Sequence, residues 1–533
     1  MKYYCFFLLV VTQLFIAVSL NGQSLGNPSE LPFEMELEDV TQDELPGLHS
    51  CAFGRWGDWW IAIGGRIGGL HGFFAVTGFP EDEANIKIRL LNPETGAELT
   101  YEVENLSGIF IDPLKATNPQ YVQDSSHLYI VGGYGKDVLQ NKFVTFSTLT
   151  SVDLPLLVAK MTAGQDPSAA FHQMESEHFQ VCGAEMEKLG DWFYLVGGHN
   201  FSGLYSDNGV PTFTQEYTNE IRKFKITLTP NNTPQVSNYS AFENTQQLHR
   251  RDFSMAPLVR PDGSEALAVY GGVFQYTQNL PFYNPIYISE SQIFTLDASF
   301  QQQFSQYTCP VVPMYNAADS SMYSVFFAGL STHYWDAAAG QVGYDDKVPF
   351  IYDITTIRRR ADGSSTEFLL PQRFDELLGT NMIFMPAEDA PHYSNEVIRL
   401  HELQGRTFVG WLYGGIRAEI PNFTPSIASK RLFKVYITPD ITTAVHPARP
   451  DHANVSFSPN PFGQHLRIDV ENAEQIQRIV LSNSEGEILF LEDRTGPDTW
   501  QHLQEYCTTL KKGIYFCTIH HAEGVQVFKL VRM

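Results

Sequence analysis

Short apolar runs that end in two glycines recur along this chain. "DWWIAIGGRI" spans Asp58 to Ile67, "HLYIVGGYGK" His127 to Lys136, and "DWFYLVGGHN" Asp191 to Asn200. "EALAVYGGVF" follows at Glu265 to Phe274 and "FVGWLYGGIR" at Phe408 to Arg417. In "YSVFFAGLST", Tyr323 to Thr332, alanine (Ala328) replaces the first glycine. Each run predicts a short strand, and the glycines let its end approach a neighbouring backbone and turn with no Cβ in the way.

The surroundings of each run repeat as well. A strand and a polar turn come first, with turns such as "GRWGD", "EKLGD", "VRPDG" and "NAADS". A loop follows the glycines, then a third strand such as "NIKIRLLNPETG", "EIRKFKITLTP" or "RLFKVYITPD". A fourth, such as "AELTYEVE" or "STEFLLPQ", closes the unit. Four antiparallel strands repeated six times predict an all-β fold, a six-bladed β-propeller over residues 30–440. The sixth unit has no fourth strand after "RLFKVYITPD". An unassigned strand, "FEMELEDV", lies before the first unit, with Phe33, Met35 and Leu37 alternating with acids. Its period of two fits a half-buried outer strand, so Phe33 to Val40 is expected to complete the sixth unit and join the ends.

These features resemble the Kelch family of propellers, whose repeat carries a double glycine after an apolar strand. Gly64-Gly65, Gly132-Gly133, Gly197-Gly198, Gly271-Gly272 and Gly414-Gly415 match it, and "LPGLHSCAFGRWGDWWIAIGG" (Leu45 to Gly65) follows the family's run into the motif. The tyrosine and tryptophan later in each Kelch repeat are poorly kept, and Ala328 breaks the fifth pair.

After a proline-bearing linker at 441–453, residues 454–533 alternate strand patterns with turn residues, which predicts a small Ig-like β-sandwich. This segment resembles the type A C-terminal sorting domain of the Bacteroidetes type IX secretion system. The matching residues are Pro459, Asn460, Pro461 and Phe462, then Gly486, then Leu510, Gly513, Ile514 and Tyr515, and the basic ending from Lys529 to Arg532. The resemblance implies the secretion machinery as a partner, passage through the periplasm, and release or attachment at the cell surface. Residues 1–22 read as a secretory signal peptide: Lys2, an apolar run from Phe6 to Leu20, and small Ala17 and Ser19 near the cleavage position.

Composition narrows the function classes. The chain has 533 residues and a net charge of -25 with no long basic run, so it repels phosphate backbones and nucleic acid is not an expected partner. Aromatic content of 13% against 18% charged residues argues for a large ordered core. No stretch after the signal peptide is expected to span a bilayer. Cys51, Cys182 and Cys309 sit at or near the starts of inner strands, as small buried hydrophobes do. Cys507 and Cys517 flank an expected hairpin, where a disulfide and two free thiols stay equally open.

The loops after the glycine pairs are long and rich in aromatic and polar residues, and such one-sided loops on a rigid scaffold are where binding residues accumulate. Arg66, Tyr134, His199, His333, Trp335 and Arg417 lie just beyond the glycine positions and are the candidate ligand-binding residues. Aromatic faces beside hydrogen-bonding groups suit sugars, and arginines suit carboxylates. In "LHRRDFS", Arg250 or Arg251 beside Asp252 reads first as an ion pair that fixes the loop. His172, His178 and His199 match no ligand spacing, and neither a metal nor a cofactor is expected. HExxH, G-x-S-x-G, P-loop and EF-hand signatures are absent from the sequence. The expectation is a secreted or surface protein that binds an extracellular glycan or protein. The alternatives are a carbohydrate-active enzyme (an oxidase or sugar isomerase) and a structural component of a surface layer or adhesion apparatus.

Overall fold

The apolar runs become the second strands of six antiparallel sheets. The computed structural model describes residues 24–72, 74, 77–205, 212–422 and 425–440, and then 454–458, 461–463, 466–471, 476–483, 487–493, 499–521 and 524–533. The expected signal peptide, the linker, and Pro459, Asn460 and Gly486 lie outside the described residues. The chain divides into two units, Met1–Pro439 and Asp440–Met533.

In the first unit, the strands of sheets one to four pair in chain order. The first sheet is Ala52–Trp56, Trp59–Ile63, Lys87–Leu91 and Glu98–Glu102, and the second opens with Gln120–Asp124 and His127–Val131. The third and fourth are built on Trp192–Val196 and Glu265–Tyr270, and the fifth on Ser321–Phe327, with Ile398–Arg399 added in parallel at its edge. The sixth runs Leu377–Pro386, Thr407–Ala418, Leu432–Pro439, and its fourth strand is Phe33–Asp39 from the start of the chain. Seven residue pairs, from Phe33 opposite Pro439 to Asp39 opposite Phe433, set that antiparallel register. Phe33, Met35 and Leu37 face the core, as the alternation predicts.

The second strands are largely apolar because each buries both faces. In Trp59–Ile63, Ile61 and Ile63 pack on the second sheet through Leu128 and Ile130, while Trp60 and Ala62 pack on the sixth through Trp411 and Tyr413. In His127–Val131, Tyr129 and Val131 turn to the third sheet and meet Phe193 and Leu195. Tyr194 and Val196 meet Leu267 and Val269 of the fourth, and Tyr270 meets Phe326 of the fifth. Val325 and Phe327 meet Leu412 and Phe433 of the sixth. Each sheet thus packs on the next, and the sixth packs on the first, where Trp60 and Trp411 meet edge to face at 6.0 Å. Each fully buried apolar side chain in these layers contributes roughly 1.5–3 kcal/mol.

The glycine pairs seat the sheets against one another. Gly132 has φ 63, and a Cβ there would lie 2.1 Å from the Val181 carbonyl oxygen of the third sheet's lead-in. Gly133 donates its N–H to that same carbonyl at 2.9 Å. Gly65 does so to Ala116, Gly198 to Arg250 and Gly415 to Leu48, the last bond linking the sixth sheet to the first. Ala328 keeps the left-handed backbone of the glycine it replaces, at φ 51.

Glu367 on the fifth sheet is 4% exposed and accepts the backbone N–H groups of Gln303 and Phe304. Burial pushes its carboxyl from 4.5 up to about 8. The unfolded chain releases this proton near its ordinary value while the folded chain holds it to about 8. Stability should therefore fall as pH rises through this window, by up to about 1.4 kcal/mol per pH unit. Urea midpoints at pH 5.5 and 7.5 should separate less in Glu367→Gln than in the wild type, and equal separations would remove Glu367 as the cause.

The second unit holds a four-stranded antiparallel sheet, ordered Ile488–Asp493, Ile476–Asn483, Gly513–His521, Gly524–Arg532, and a pair formed by Asn454–Ser458 and Arg467–Glu471. Thr499–Thr509 is an α-helix where strands alone are expected. Its Thr499, Leu503 and Cys507, spaced by four, form one buried face, the helical period that a reading in strands passes over. Cys507 therefore lies on a helix and does not flank a hairpin with Cys517. Both are buried free thiols, and burial pushes them up to about 11 and about 12. Cys51, Cys182 and Cys309 are buried free thiols as well.

Candidate functional site

Five chain segments that enter first strands, and the first strand of the sixth sheet itself, run side by side, and each passes through one residue of left-handed backbone. These are Ser50, Asn118, Gly183, Asp252, Thr308 and Asn381, with φ between 51 and 61. Each of the last five donates its N–H to the carbonyl of the one before. Asn118 reaches Ser50 at 3.1 Å, Gly183 reaches Asn118 at 3.3 Å, and Asp252 reaches Gly183 at 2.8 Å. Thr308 reaches Asp252 at 3.2 Å and Asn381 reaches Thr308 at 2.5 Å. The Asn381 side-chain amide then donates to Ser50 Oγ at 2.7 Å and joins the last segment to the first.

This ring borders a cavity of about 210 Å³ to which all six sheets contribute residues. Arg251 and Asp252 form an ion pair in its lining, and Arg251 Nε also donates to the Tyr217 hydroxyl at 3.1 Å. Burial works against the Arg251 charge, but Asp252 and Tyr217 hold it above the ordinary arginine value. Asp252 is the only carboxylate among the described lining residues.

The lining histidines are neutral. Burial, reinforced by Arg66, brings His49 down to about 3, and burial brings His71 down to about 4. Burial and Arg251 hold His199 well below the usual histidine range. His49 Nε2 sits 3.1 Å from the Gly68 carbonyl, which can only accept, so Nε2 carries the proton and Nδ1 accepts from Ser50 Oγ at 2.9 Å. His199 Nδ1 faces the Gln215 amide nitrogen at 2.5 Å and accepts from it, which leaves the proton on Nε2. One wall is aromatic: His71 stacks on Phe79 at 4.1 Å, and Tyr205 lies parallel to His71 within 12° at 5.7 Å.

Of the residues singled out from sequence, Arg66, Tyr134 and His199 line this cavity. Arg66 is nearly buried and is held by Glu83 at 2.9 Å and by the Pro80 carbonyl. The Tyr134 hydroxyl donates to the Gly203 carbonyl at 2.6 Å, so this residue presents its ring. His333 and Trp335 lie on a separate hairpin, His333–Asp336 with Gln341–Tyr344, and Arg417 pairs with Glu376 at 2.9 Å; none of the three lines the cavity. Arg250 is spent on the carbonyls of Gln247, Gly271 and Asn284, which fixes the loop. Among the described residues, no group of three or more His, Cys, Asp or Glu side chains is placed to hold a metal ion. His178 instead stacks on Tyr239 at 3.9 Å.

Sequence reasoning passed over the ring itself. Its only signal is a residue tolerant of left-handed backbone at Asn118, Gly183, Asp252 and Asn381, the last inside its strand, and Ser50 and Thr308 give none. Phe79 and Tyr205 come from long loops, where sequence distance gives no hint of their parallel faces.

In the second unit, Phe462 is fully buried, and its N–H donates to the Val531 carbonyl at 2.9 Å. Tyr515 is buried with its hydroxyl on the Lys511 carbonyl at 2.8 Å, Gly513 starts the strand that pairs with the chain end, and Pro461 and Lys529 are exposed. Residues 456–532 match the family described as the secretion system C-terminal sorting domain. The second unit is a sorting domain. The protein is therefore exported through type IX secretion, to be released or attached at the cell surface. The chain is also similar to a solved structure titled "Structure of YjhT", with 9% identity and a TM-score of 0.38, over 74% of this chain and 100% of that one. No curated protein sequence matches the chain. Among the described residues, no helix is long and apolar enough to cross a membrane.

Proposed function

We propose that the first unit is a six-bladed, Kelch-like β-propeller that binds an extracellular glycan or protein in the cavity above its ring of left-handed residues. The observation that carries this reading is the cavity: residues from all six sheets converge there, and they pair an aromatic wall with a buried, already neutralised Arg251–Asp252 pair. Sheet-on-sheet packing that returns from the sixth to the first supports the propeller. The loops after the second strands also carry exposed apolar side chains, among them Ile67, Phe74, Leu139, Tyr276 and Ile420, as a face that meets a partner does. Binding is favoured over acid–base chemistry because the lining carboxylate is committed to Arg251 and burial holds the histidines far below the range in which they would take up a proton near neutral pH.

The test is saturable binding of the full exported chain to a broad glycan array. Phe79→Ala with Tyr205→Ala should lower affinity at least tenfold, the size expected from losing two aromatic contacts of about 1 kcal/mol each. Trp335→Ala and Arg417→Ala, outside the cavity, should bind as the wild type does. The reverse pattern would move the site to the hairpin rim.

A further inference from the structure

The cavity is blind at one end, and two of the hydroxyls around it have no partner. Five backbone hydrogen bonds and the Asn381–Ser50 contact draw the six segments together around its base. Hydrogen-bonded segments lie about 5 Å apart, so a ring of six leaves an opening too narrow for a polymer to thread. Residues on the first strands beyond the ring, such as Arg55, Tyr121 and Glu185, do not line the cavity, so the ring is its floor. At about 210 Å³ the space is smaller than the roughly 300–1,000 Å³ that encloses a drug-sized ligand, and it suits one ring.

Thr380 is 2% exposed and lines the cavity, and its Oγ1 has no hydrogen-bond partner in the protein. Thr308 Oγ1 lacks a partner as well, and it too lines the cavity. Buried hydroxyls without partners are uncommon and call for a group that satisfies them. Thr308 is also β-branched and held at φ 53, a backbone region that branched side chains avoid. Strain of this kind persists where the surroundings enforce it, and it gathers at ligand sites.

Resting on the binding reading above, we infer that the cavity takes the free end of a glycan, a single polyhydroxylated ring that enters end-on. Its hydroxyls meet Thr308 and Thr380 at the floor, and its apolar face lies toward the Phe79–His71–Tyr205 wall. Hydroxyls on a compact ring supply both the donors and the acceptors that the two threonines lack.

The test uses the full exported chain and the glycans it captures on an array. Each captured glycan is measured again after an exoglycosidase has removed its terminal residue, and in competition with that residue as the free monosaccharide. Trimming should cut binding at least tenfold, and the monosaccharide should compete. Thr308→Gly relieves the backbone strain and should be no less stable than the wild type, yet bind at least tenfold more weakly. Thr380→Val should do the same at an unchanged melting temperature. Binding that survives trimming and grows with chain length would overturn the end-on inference alone. Wild-type affinity in both threonine variants would overturn their role. An array silent toward the intact chain would overturn the glycan reading beneath it.

Discussion

Gly132→Ala should leave the protein about 2–5 kcal/mol less stable or prevent it from folding. Two costs combine there. The backbone has φ 63, where a side chain costs roughly 1–2 kcal/mol. The new Cβ would also lie 2.1 Å from the Val181 carbonyl oxygen and 2.8 Å from that of Phe179, both fixed backbone of the neighbouring sheet's lead-in. Relief requires the second and third sheets to separate, which disturbs the layer of Tyr129, Val131, Phe193 and Leu195 between them, and overpacking of this kind costs roughly a further 1–3 kcal/mol. Gly164 is the matched control. It has φ 64, but an added Cβ there meets nothing within 4 Å, so Gly164→Ala should cost only the backbone share, about 1 kcal/mol. Urea denaturation of both variants separates strain from collision, and equal losses would show that close approach between sheets is not why the pair is glycine.

Removing residues 24–40 should abolish soluble folded protein. Phe33–Asp39 supplies the fourth strand of the sixth sheet across seven residue pairs. Phe33 is 4% exposed and meets Tyr323 of the fifth sheet edge to face at 5.4 Å. Without the strand, Leu432–Pro439 becomes an open edge that carries Phe433, Val435 and Ile437, a template for aggregation. A point change shows the same dependence more gently: Phe33→Ala should cost about 3–5 kcal/mol, the usual range for emptying a buried phenylalanine site. The register also predicts a rescue. Phe33 lies opposite Pro439, so residues 33–39 moved to follow Pro439 through a tight turn can pair as before. Sedimentation and urea unfolding of that rearranged chain should recover a folded protein, and failure would mean that the strand contributes more than its pairing.

The strand was legible because its information is local. Phe33, Met35 and Leu37 alternate with acids, and a strand with one buried face has that period. The second strands were legible for a related reason: with a sheet packed on either face, every position from Trp60 to Ile63, or Phe193 to Val196, is apolar. The helix Thr499–Thr509 was missed because a strand-rich context set the period against which its three buried residues were read. Arg250 and Arg251 show how little adjacency says about role. They are neighbours in sequence, yet one ties down a loop through carbonyls and the other lines the cavity in an ion pair.

By itself the sequence determined the strand units and the partner of the first strand, because each is written in contiguous residues whose pattern follows from which faces are buried, while the export signal was legible only through its resemblance to a known sorting domain. Tertiary structure alone decided the cavity. Ser50, Asn118, Gly183, Asp252, Thr308 and Asn381 are scattered along the first unit and share only one left-handed backbone conformation, which Thr308 adopts under strain. They become a floor because sheet packs on sheet until the last meets the first, and a contact made between sheets leaves no period in the chain.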